Sequence, residues 1–198
     1  MKKIKIAFLG SDGSGKTSLI QYSQKKLQNE GKNVRIFFMG WRDLQNPILR
    51  VFSKIYLRKK EKCKKTKEEK LARFRERSWF FYIFYYAELW TRYFKILFSG
   101  KEIIFMDRYF YDELVFSSGS KFRFFNLLTP KPDLCIILKC PIKIIEKRGV
   151  YIKKEIFENF YNHLNLAKNF CRVVEIDSSG DIEKTYLKIK PYLIDILR

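Results

Sequence analysis

Short apolar runs alternate with longer helix-like stretches along the whole chain. The runs are rich in β-branched and aromatic residues and nearly continuous in apolar character, which is typical of parallel strands covered on both faces. Five strands are therefore predicted, at residues 3–9, 34–39, 102–106, 133–138 and 172–176.

Helices are predicted in the segments between these strands. The first ends at Gly31, a residue suited to a helix terminus, and the third is stopped by Ser99 and Gly100. The full set covers residues 16–30, 46–57, 68–98, 110–128, 141–148, 153–169 and 181–197. The repeated strand–helix alternation predicts a single doubly wound α/β domain over residues 1–198, with ligands bound at the carboxyl ends of the strands.

A glycine-rich loop directly follows the first predicted strand. Residues 10–17 fit the pattern GxxxxGK[ST] completely. Its glycines let successive backbone N–H groups turn towards phosphate oxygens, and the following helix adds its positive N-terminal end. Lys16 is expected to reach the β- and γ-phosphates, and the Thr17 hydroxyl to ligate Mg²⁺. The predicted ATP contacts in this P-loop are Gly10, Gly13, Ser14, Gly15, Lys16 and Thr17.

A carboxylate and a guanidinium stand at the end of the third predicted strand. Asp107 ends the apolar run 103–107, and Arg108 follows it. A P-loop enzyme places the Asp that supports Mg²⁺ at such a position, and an adjacent Arg can hold a second phosphate bidentately. The alternative, an Asp–Arg pair that caps the next helix, is less favoured beside a P-loop. The expected fold is therefore a three-layer α/β P-loop fold with a five-stranded parallel sheet and helices on both faces.

Composition supports a globular domain and leaves the partner open. The chain has 198 residues, of which 46% are hydrophobic and 31% charged, so disordered and fibrous classes are excluded. The formal charge of +20 suits an anionic partner, but solvated lysines explain it equally well. The basic run at 58–70 contains no aromatic residue to stack on a base and is diluted by glutamates. We interpret it as a linker between helices, and nucleic acid is not the favoured partner.

The cysteines and the longest apolar segment indicate in which cellular compartment the protein is expected. The four cysteines form no CxxC pair, which favours free thiols and a reducing cytoplasm over a disulfide framework. The basic and apolar start of the chain is interpreted as a strand, because it is too short for an export signal. Residues 79–98 are interrupted by Glu88, Arg92 and Lys95, which predicts a buried helix and no membrane span.

Four segments in order resemble the thymidylate kinase branch of the nucleoside monophosphate kinases. The P-loop carries the acidic residue Asp12, and Asp107-Arg108-Tyr109 matches the Asp-Arg-Tyr signature of that family. The segments 132–149 and 176–179 complete the match, the first with Pro-Asp-Leu and Lys-Arg-Gly, the second with Ile-Asp-Ser-Ser. The resemblance spans almost the whole chain.

The resemblance implies ATP-dependent phosphorylation of a nucleoside monophosphate, with Mg²⁺, and most specifically of dTMP to dTDP. It assigns the acceptor phosphate to Arg108 and places Asp12 near the sugar or the metal. Arg148 would stack on adenine, and Ser178 lies in the loop around that base. Arg42 and Tyr85 are further acceptor candidates, although Arg42 is equally well explained as an exposed loop residue. The catalytic candidates are Lys16, Asp12, Arg108 and Asp107. The resemblance also suggests a homodimer, because relatives form dimers through helices.

The chain also departs from that family. The loop at 39–44 lacks the usual Arg-Glu-Pro-Gly-Gly sequence, and the region 81–89 of the third helix, where relatives carry an Arg, has none before Arg92. The lid at 149–154 is short and lacks Arg, which leaves Lys153 or Lys154 as the substitute. Two other functions therefore stay open: a nucleotide-binding P-loop protein with a different phosphorylated acceptor or little turnover, and a nucleic-acid-associated ATPase.

Overall fold

A computed structural model of the protein describes residues 3–40, 47, 50–51, 79–100, 102–113 and 128–197. The basic linker predicted at 58–70 lies outside these residues, as do nearly all of the predicted helix 46–57, the first part of 68–98 and most of 110–128. A single domain over residues 1–198 stays a prediction.

All five predicted strands are present, and each boundary agrees with the prediction to within one residue. They are β1 (Ile4–Leu9), β2 (Val34–Phe38), β3 (Ile103–Asp107), β4 (Leu134–Lys139) and β5 (Val173–Asp177). The strands form one sheet in the order β2-β3-β1-β4-β5, and every neighbouring pair is parallel. Asp107 belongs to β3 because its backbone continues the pairing with Phe8 of β1 and Phe38 of β2.

The described helices occupy the segments between the strands. They are α1 (Lys16–Asn29), α2 (Trp79–Leu97), α3 (Phe110–Glu113), α4 (Ile142–Lys147), α5 (Lys154–Asn165) and α6 (Ile182–Leu197). A 3₁₀ turn, Leu166–Asn169, extends α5. The break after α1 follows the prediction, since Gly31 has a φ of 76° that other residues rarely adopt.

Two hydrophobic cores lie on opposite faces of the sheet. Successive strand residues point to opposite faces, so Phe8 joins the core that includes α1 and α6, whereas Ala7 joins the core that includes α2 and α5. Both faces are therefore covered, which explains why β1, β3 and β4 are apolar almost throughout. The three-layer α/β fold expected from the sequence is confirmed.

The helix α2 contains charged residues that are buried inside the protein. Glu88 and Arg92 are 0% and 4% exposed, and the Arg92 Nη2 lies 2.9 Å from the Glu88 Oε1. A paired charge of this kind suits a packed protein interior and is costly in a bilayer. None of the helices in the described part of the chain is long and apolar enough to cross a membrane.

The core predicts a large cost for truncating Phe105. Its ring is fully buried and meets the Phe8 ring edge-on, with centroids 5.2 Å apart. We expect Phe105→Ala to lower the free energy of unfolding by about 3–5 kcal/mol, because the cavity adds to the lost burial. Denaturant unfolding measures this. Phe98→Ala is the matched control: Phe98 is 85% exposed, and its truncation should change stability by less than about 0.5 kcal/mol. Equal losses in both variants would contradict the core assignment.

Candidate active site

The predicted site residues gather at the carboxyl edge of the sheet, around a cavity of about 430 Å³. The P-loop follows β1 there, between the ends of β3 and β4. Residues from distant parts of the chain complete the wall, among them Asp107, Arg108, Arg148 and Ser178. This is the edge at which doubly wound sheets bind their ligands.

The P-loop packs so closely against β4 that its first glycine has no substitute. Gly10 has a φ of 143°, and a Cβ atom there would lie 2.8 Å from the Leu138 carbonyl oxygen. Gly13 has a φ of 78°, and its Cβ would lie 3.0 Å from Ile145 of α4. The glycine spacing of the motif therefore reflects both backbone conformation and contact with neighbouring elements.

Lys16 is the first residue of α1, and its side chain folds back over the P-loop. Its side chain is nearly buried, and Nζ donates to the carbonyl oxygens of Gly10, at 2.5 Å, and Ser11, at 2.7 Å. Burial lowers the pKa of Lys16, and the negative charges of Asp112, Asp12 and Asp107 partly oppose this. A phosphate placed in the loop would favour the charged ammonium for the same electrostatic reason.

Thr17 and Asp107 meet as the sequence predicts for a magnesium site. The Thr17 Oγ1 donates to the Asp107 Oδ2 at 2.7 Å, and Asp107 is only 5% exposed. The parallel pairing of β1 with β3 creates this contact, because it brings Asp107 level with Phe8, just before the P-loop. Mg²⁺ prefers oxygen donors and often takes only one or two from the protein, with the rest from phosphates and water. The donor set fits that ion, and no cluster of three or more His, Cys, Asp or Glu residues competes among the residues that the structure describes.

Arg108 has the one left-handed backbone among the described non-glycine residues, with a φ of 68°. Its N–H donates to the Phe8 carbonyl at 3.1 Å, which holds the turn directly after β3. The guanidinium pairs with Asp12 of the P-loop, and its Nη1 lies 3.5 Å from the Asp112 Oδ1. Strained backbone of this kind is concentrated at functional sites. The structure thus brings the two predicted acceptor residues, Asp12 and Arg108, together.

Sequence reasoning missed Gly40 and the role of Arg92. The Arg92 Nη1 donates to the Gly40 carbonyl at 2.5 Å, while its Nε and Nη2 face Glu88. A Cβ on Gly40 would lie 2.7 Å from the Arg108 Cδ and 2.5 Å from the Phe38 ring. Because Gly40 has no side chain, the Arg108 side chain fits beside it, and the hydrogen bond from Arg92 fixes the backbone of Gly40. The one sequence feature that could have indicated this role was the pair of opposite charges, Glu88 and Arg92, four residues apart in a mostly apolar helix.

Arg148 connects three elements behind the P-loop. Its Nη1 donates to the Gly13 carbonyl at 2.7 Å, and its Nη2 to the Ser178 carbonyl at 3.3 Å. Ser178 is held in turn by a bond from its N–H to the Lys139 carbonyl, 2.8 Å long. Both predicted adenine residues thus line the same cavity as the P-loop.

Tyr161 of α5 contacts the P-loop, and no sequence motif indicated this contact. Its hydroxyl donates to the Leu138 carbonyl at 2.8 Å and lies 3.2 Å from the Ser11 Oγ. Burial raises the pKa of this phenol, so it stays protonated and able to donate at neutral pH. The packed helix face around Tyr161 was predictable from periodicity, but its polar contact was not.

Other predicted residues are outside the cavity or outside the described part of the chain. Arg42 lies outside the described residues, and Tyr85 lies in α2 but its side chain is not described. Lys153 and Lys154, the predicted substitutes for a lid arginine, are exposed, and Lys154 lies 3.7 Å from Glu158 of its own helix.

Comparisons with known proteins point to one family. The family model for thymidylate kinase matches residues 8–189. Among solved structures, a thymidylate kinase from Candida albicans is similar with a TM-score of 0.63 and 16% identity, over 98% of this chain and 92% of the other. A thymidylate kinase from Ehrlichia chaffeensis is similar with a TM-score of 0.60 and 19% identity, over 98% and 100%. No curated protein matches the sequence.

The Tyr161 contact predicts a measurable contribution to stability. We expect Tyr161→Phe to lower the free energy of unfolding by roughly 0.5–1.5 kcal/mol, because the bond to the Leu138 carbonyl is lost. Thermal and denaturant unfolding provide the measurement. Tyr151→Phe is the control, since Tyr151 is 82% exposed. A Tyr161→Phe protein as stable as this control would show that the phenol does not hold the loop.

Proposed function

The chain belongs to the thymidylate kinase family, and we propose that these residues carry the phosphoryl transfer from ATP to a nucleoside monophosphate, with dTMP as the acceptor. The observation that carries the proposal is the convergence of four groups on one cavity: the P-loop, Lys16, the Thr17–Asp107 pair and Arg108. Each is suited to bind phosphate or its metal ion, and two distant segments of the chain supply them: the P-loop at residues 10–17, and Asp107 and Arg108 at the end of β3.

Positioning and charge neutralisation are the chemistry that this arrangement supplies. Phosphoryl transfer needs the attacking and leaving oxygens in line and the charge on the transferred group compensated. The P-loop N–H groups and the Lys16 ammonium provide positive charge for the β- and γ-phosphates of ATP. An oxygen of the acceptor phosphate is the nucleophile, so no protein side chain has to form a covalent intermediate.

Thr17 and Asp107 would hold Mg²⁺ through their oxygens. When bound, that ion supplies additional positive charge on the phosphate oxygens of ATP. The present hydrogen bond between the two side chains places both oxygens at the edge of the P-loop, 2.7 Å apart.

Arg108 is the proposed clamp for the acceptor phosphate. Its planar fork can hold two phosphate oxygens at once, and Asp12 and Asp112 orient it from either side. Asp12 is also exposed to the cavity, which fits a contact with the acceptor sugar. Arg148 and Ser178 lie behind the P-loop and are the proposed adenine contacts.

The alternative acceptor, a different phosphorylated metabolite, has one specific observation in its favour. Arg92 is the first arginine of α2 and faces Glu88 and Gly40, whereas relatives place an arginine of this helix on the acceptor. A nucleic-acid-associated ATPase rests on the basic run at 58–70, which is outside the described residues. A homodimer and a cytoplasmic location stay predictions.

The first prediction for this function is acceptor-dependent ADP formation. With ATP and Mg²⁺, dTMP should stimulate ADP release above every other nucleoside monophosphate, free nucleosides, single-stranded DNA and a blank without acceptor. Lys16→Ala should lower the rate by at least about a hundredfold, because charge stabilisation of this kind is the main catalytic contribution. A coupled ADP assay, with dTDP identified by chromatography, measures both. ADP release that no nucleoside monophosphate stimulates would contradict the proposed acceptor. Stimulation by single-stranded DNA alone would favour the nucleic-acid-associated ATPase.

The second prediction separates the acceptor side from the ATP side. Arg108→Ala should raise the KM for the acceptor about 10- to 100-fold, which corresponds to loss of a charged hydrogen-bonding pair. The KM for ATP should change by less than about threefold, since Arg108 lies outside the P-loop. Steady-state kinetics with each substrate varied in turn gives both values.

Two further variants act as controls for that separation. Arg172→Ala removes a half-exposed arginine that pairs with Asp195 at the surface, and it should leave both KM values unchanged. Gly40→Ala should imitate Arg108→Ala on the acceptor side alone, because its Cβ would displace the Arg108 side chain. If Arg108→Ala left the KM for the acceptor unchanged, Arg108 would not be the contact that holds the acceptor phosphate.

A further inference from the structure

Two cysteines meet between β4 and β5. Cys135 is fully buried within β4, and Cys171 is half-buried two residues before the start of β5. Their sulfur atoms lie 3.1 Å apart and share a hydrogen bond. The pair lies towards the amino ends of the strands, whereas the cavity of the kinase site lies at the carboxyl ends.

Backbone hydrogen bonds hold both cysteines in place. The Cys135 N–H donates to the Arg172 carbonyl at 2.9 Å, and Cys135 stands opposite Val173 in the parallel register. The Cys171 N–H donates to the Ala167 carbonyl at 3.1 Å. Since backbone hydrogen bonds hold both residues, their proximity is a property of the fold and not of a side-chain rotamer alone.

The two thiols differ in a way that suits sequential reaction. The hydrogen bond with Cys135 lowers the pKa of Cys171, burial opposes this, and Tyr111 and the charge of Lys131 lower it further. Burial raises the pKa of Cys135, which keeps that thiol protonated. A more accessible, more acidic cysteine beside a protonated one is the usual arrangement of an attacking and a resolving thiol.

We propose that Cys135 and Cys171 form a reversible oxidation site that a hydroperoxide closes to a disulfide. The Cys171 thiolate attacks a peroxide oxygen, the O–O bond breaks, and a sulfenic acid forms on Cys171 while hydroxide leaves and takes up a proton. The Cys135 sulfur then attacks the Cys171 sulfur, its proton leaves with the hydroxyl group as water, and the S–S bond forms. Two thiols are oxidised and one hydrogen peroxide is reduced to two waters.

The movement that this reaction needs is small. Disulfide sulfurs lie about 2.05 Å apart, so the two sulfur atoms have to approach by about 1 Å from their present contact. The backbone at Cys135 is fixed by the ladder, whereas Cys171 belongs to the short connection between the 3₁₀ turn and β5. This connection can supply the adjustment without displacing the P-loop. Disulfides of cytoplasmic proteins are typically of this transient, redox-responsive kind.

Peroxide treatment of the full, reduced chain tests the proposal. The four cysteines fall on four different tryptic peptides, so a linkage between 124–139 and 169–172 identifies Cys135–Cys171 alone. Graded hydrogen peroxide, followed by alkylation of the remaining thiols, should yield this linked pair while Cys140 is still alkylated. Dithiothreitol should reverse the linkage. The native protein should give at least about tenfold more of it than the same chain in guanidinium, because folding raises the effective concentration of the thiols.

Two variants make the outcome decisive. Cys171→Ser should abolish the linkage and leave Cys135 alkylatable after denaturation. Cys140→Ser removes another buried thiol, close to Arg148, and should leave the linkage unchanged. The proposal is overturned if Cys171 is oxidised to sulfinic acid while Cys135 stays reduced, if linkages to Cys63 or Cys140 dominate, or if native and unfolded chains react alike. Because the readout is a linked peptide, failure of the kinase assignment does not affect it.

Discussion

The site depends on the parallel hydrogen bonding of β1 between β3 and β4. This pairing sets Phe8 opposite Asp107 on one side and Leu9 opposite Ile137 on the other, so β3 ends one residue before the end of β1 and β4 continues two residues beyond it. The P-loop therefore has to turn directly above two neighbouring strand ends. Gly10 permits that turn, because any side chain there would collide with the Leu138 carbonyl. The contact between Thr17 and Asp107 and the turn of the P-loop are both consequences of this register.

Three cations near this edge, Lys16, Arg108 and Arg92, each have partners within the protein. Lys16 donates to two carbonyls of its own loop, Arg108 faces Asp12 and Asp112, and Arg92 faces Glu88. Buried charges require such partners, since desolvation is costly. The first two cations line the cavity, where phosphate oxygens can take the place of carbonyl or carboxylate oxygens. Arg92 is buried behind Gly40 and serves the geometry of the loop.

The sequence departs from the family pattern mainly in the lid and on the proposed acceptor side. The residues proposed to bind ATP are the P-loop, Asp107 and the Arg148–Ser178 contact, and the structure brings them to one cavity. On the proposed acceptor side, Arg92 pairs with the buried Glu88 and donates to the Gly40 carbonyl.

The sequence by itself determined the strands, the sheet type and the central chemistry, because these depend on local patterns. Apolar runs predict buried strands, and the P-loop and the Asp107-Arg108 step are each contiguous in the chain. The tertiary structure alone decided the contacts of Gly40, Arg92, Tyr161 and the Cys135–Cys171 pair. Each of these joins residues far apart in sequence through one hydrogen bond or one close approach, and no local periodicity encodes it. Only the register of the sheet and the packing of α2 and α5 bring them together.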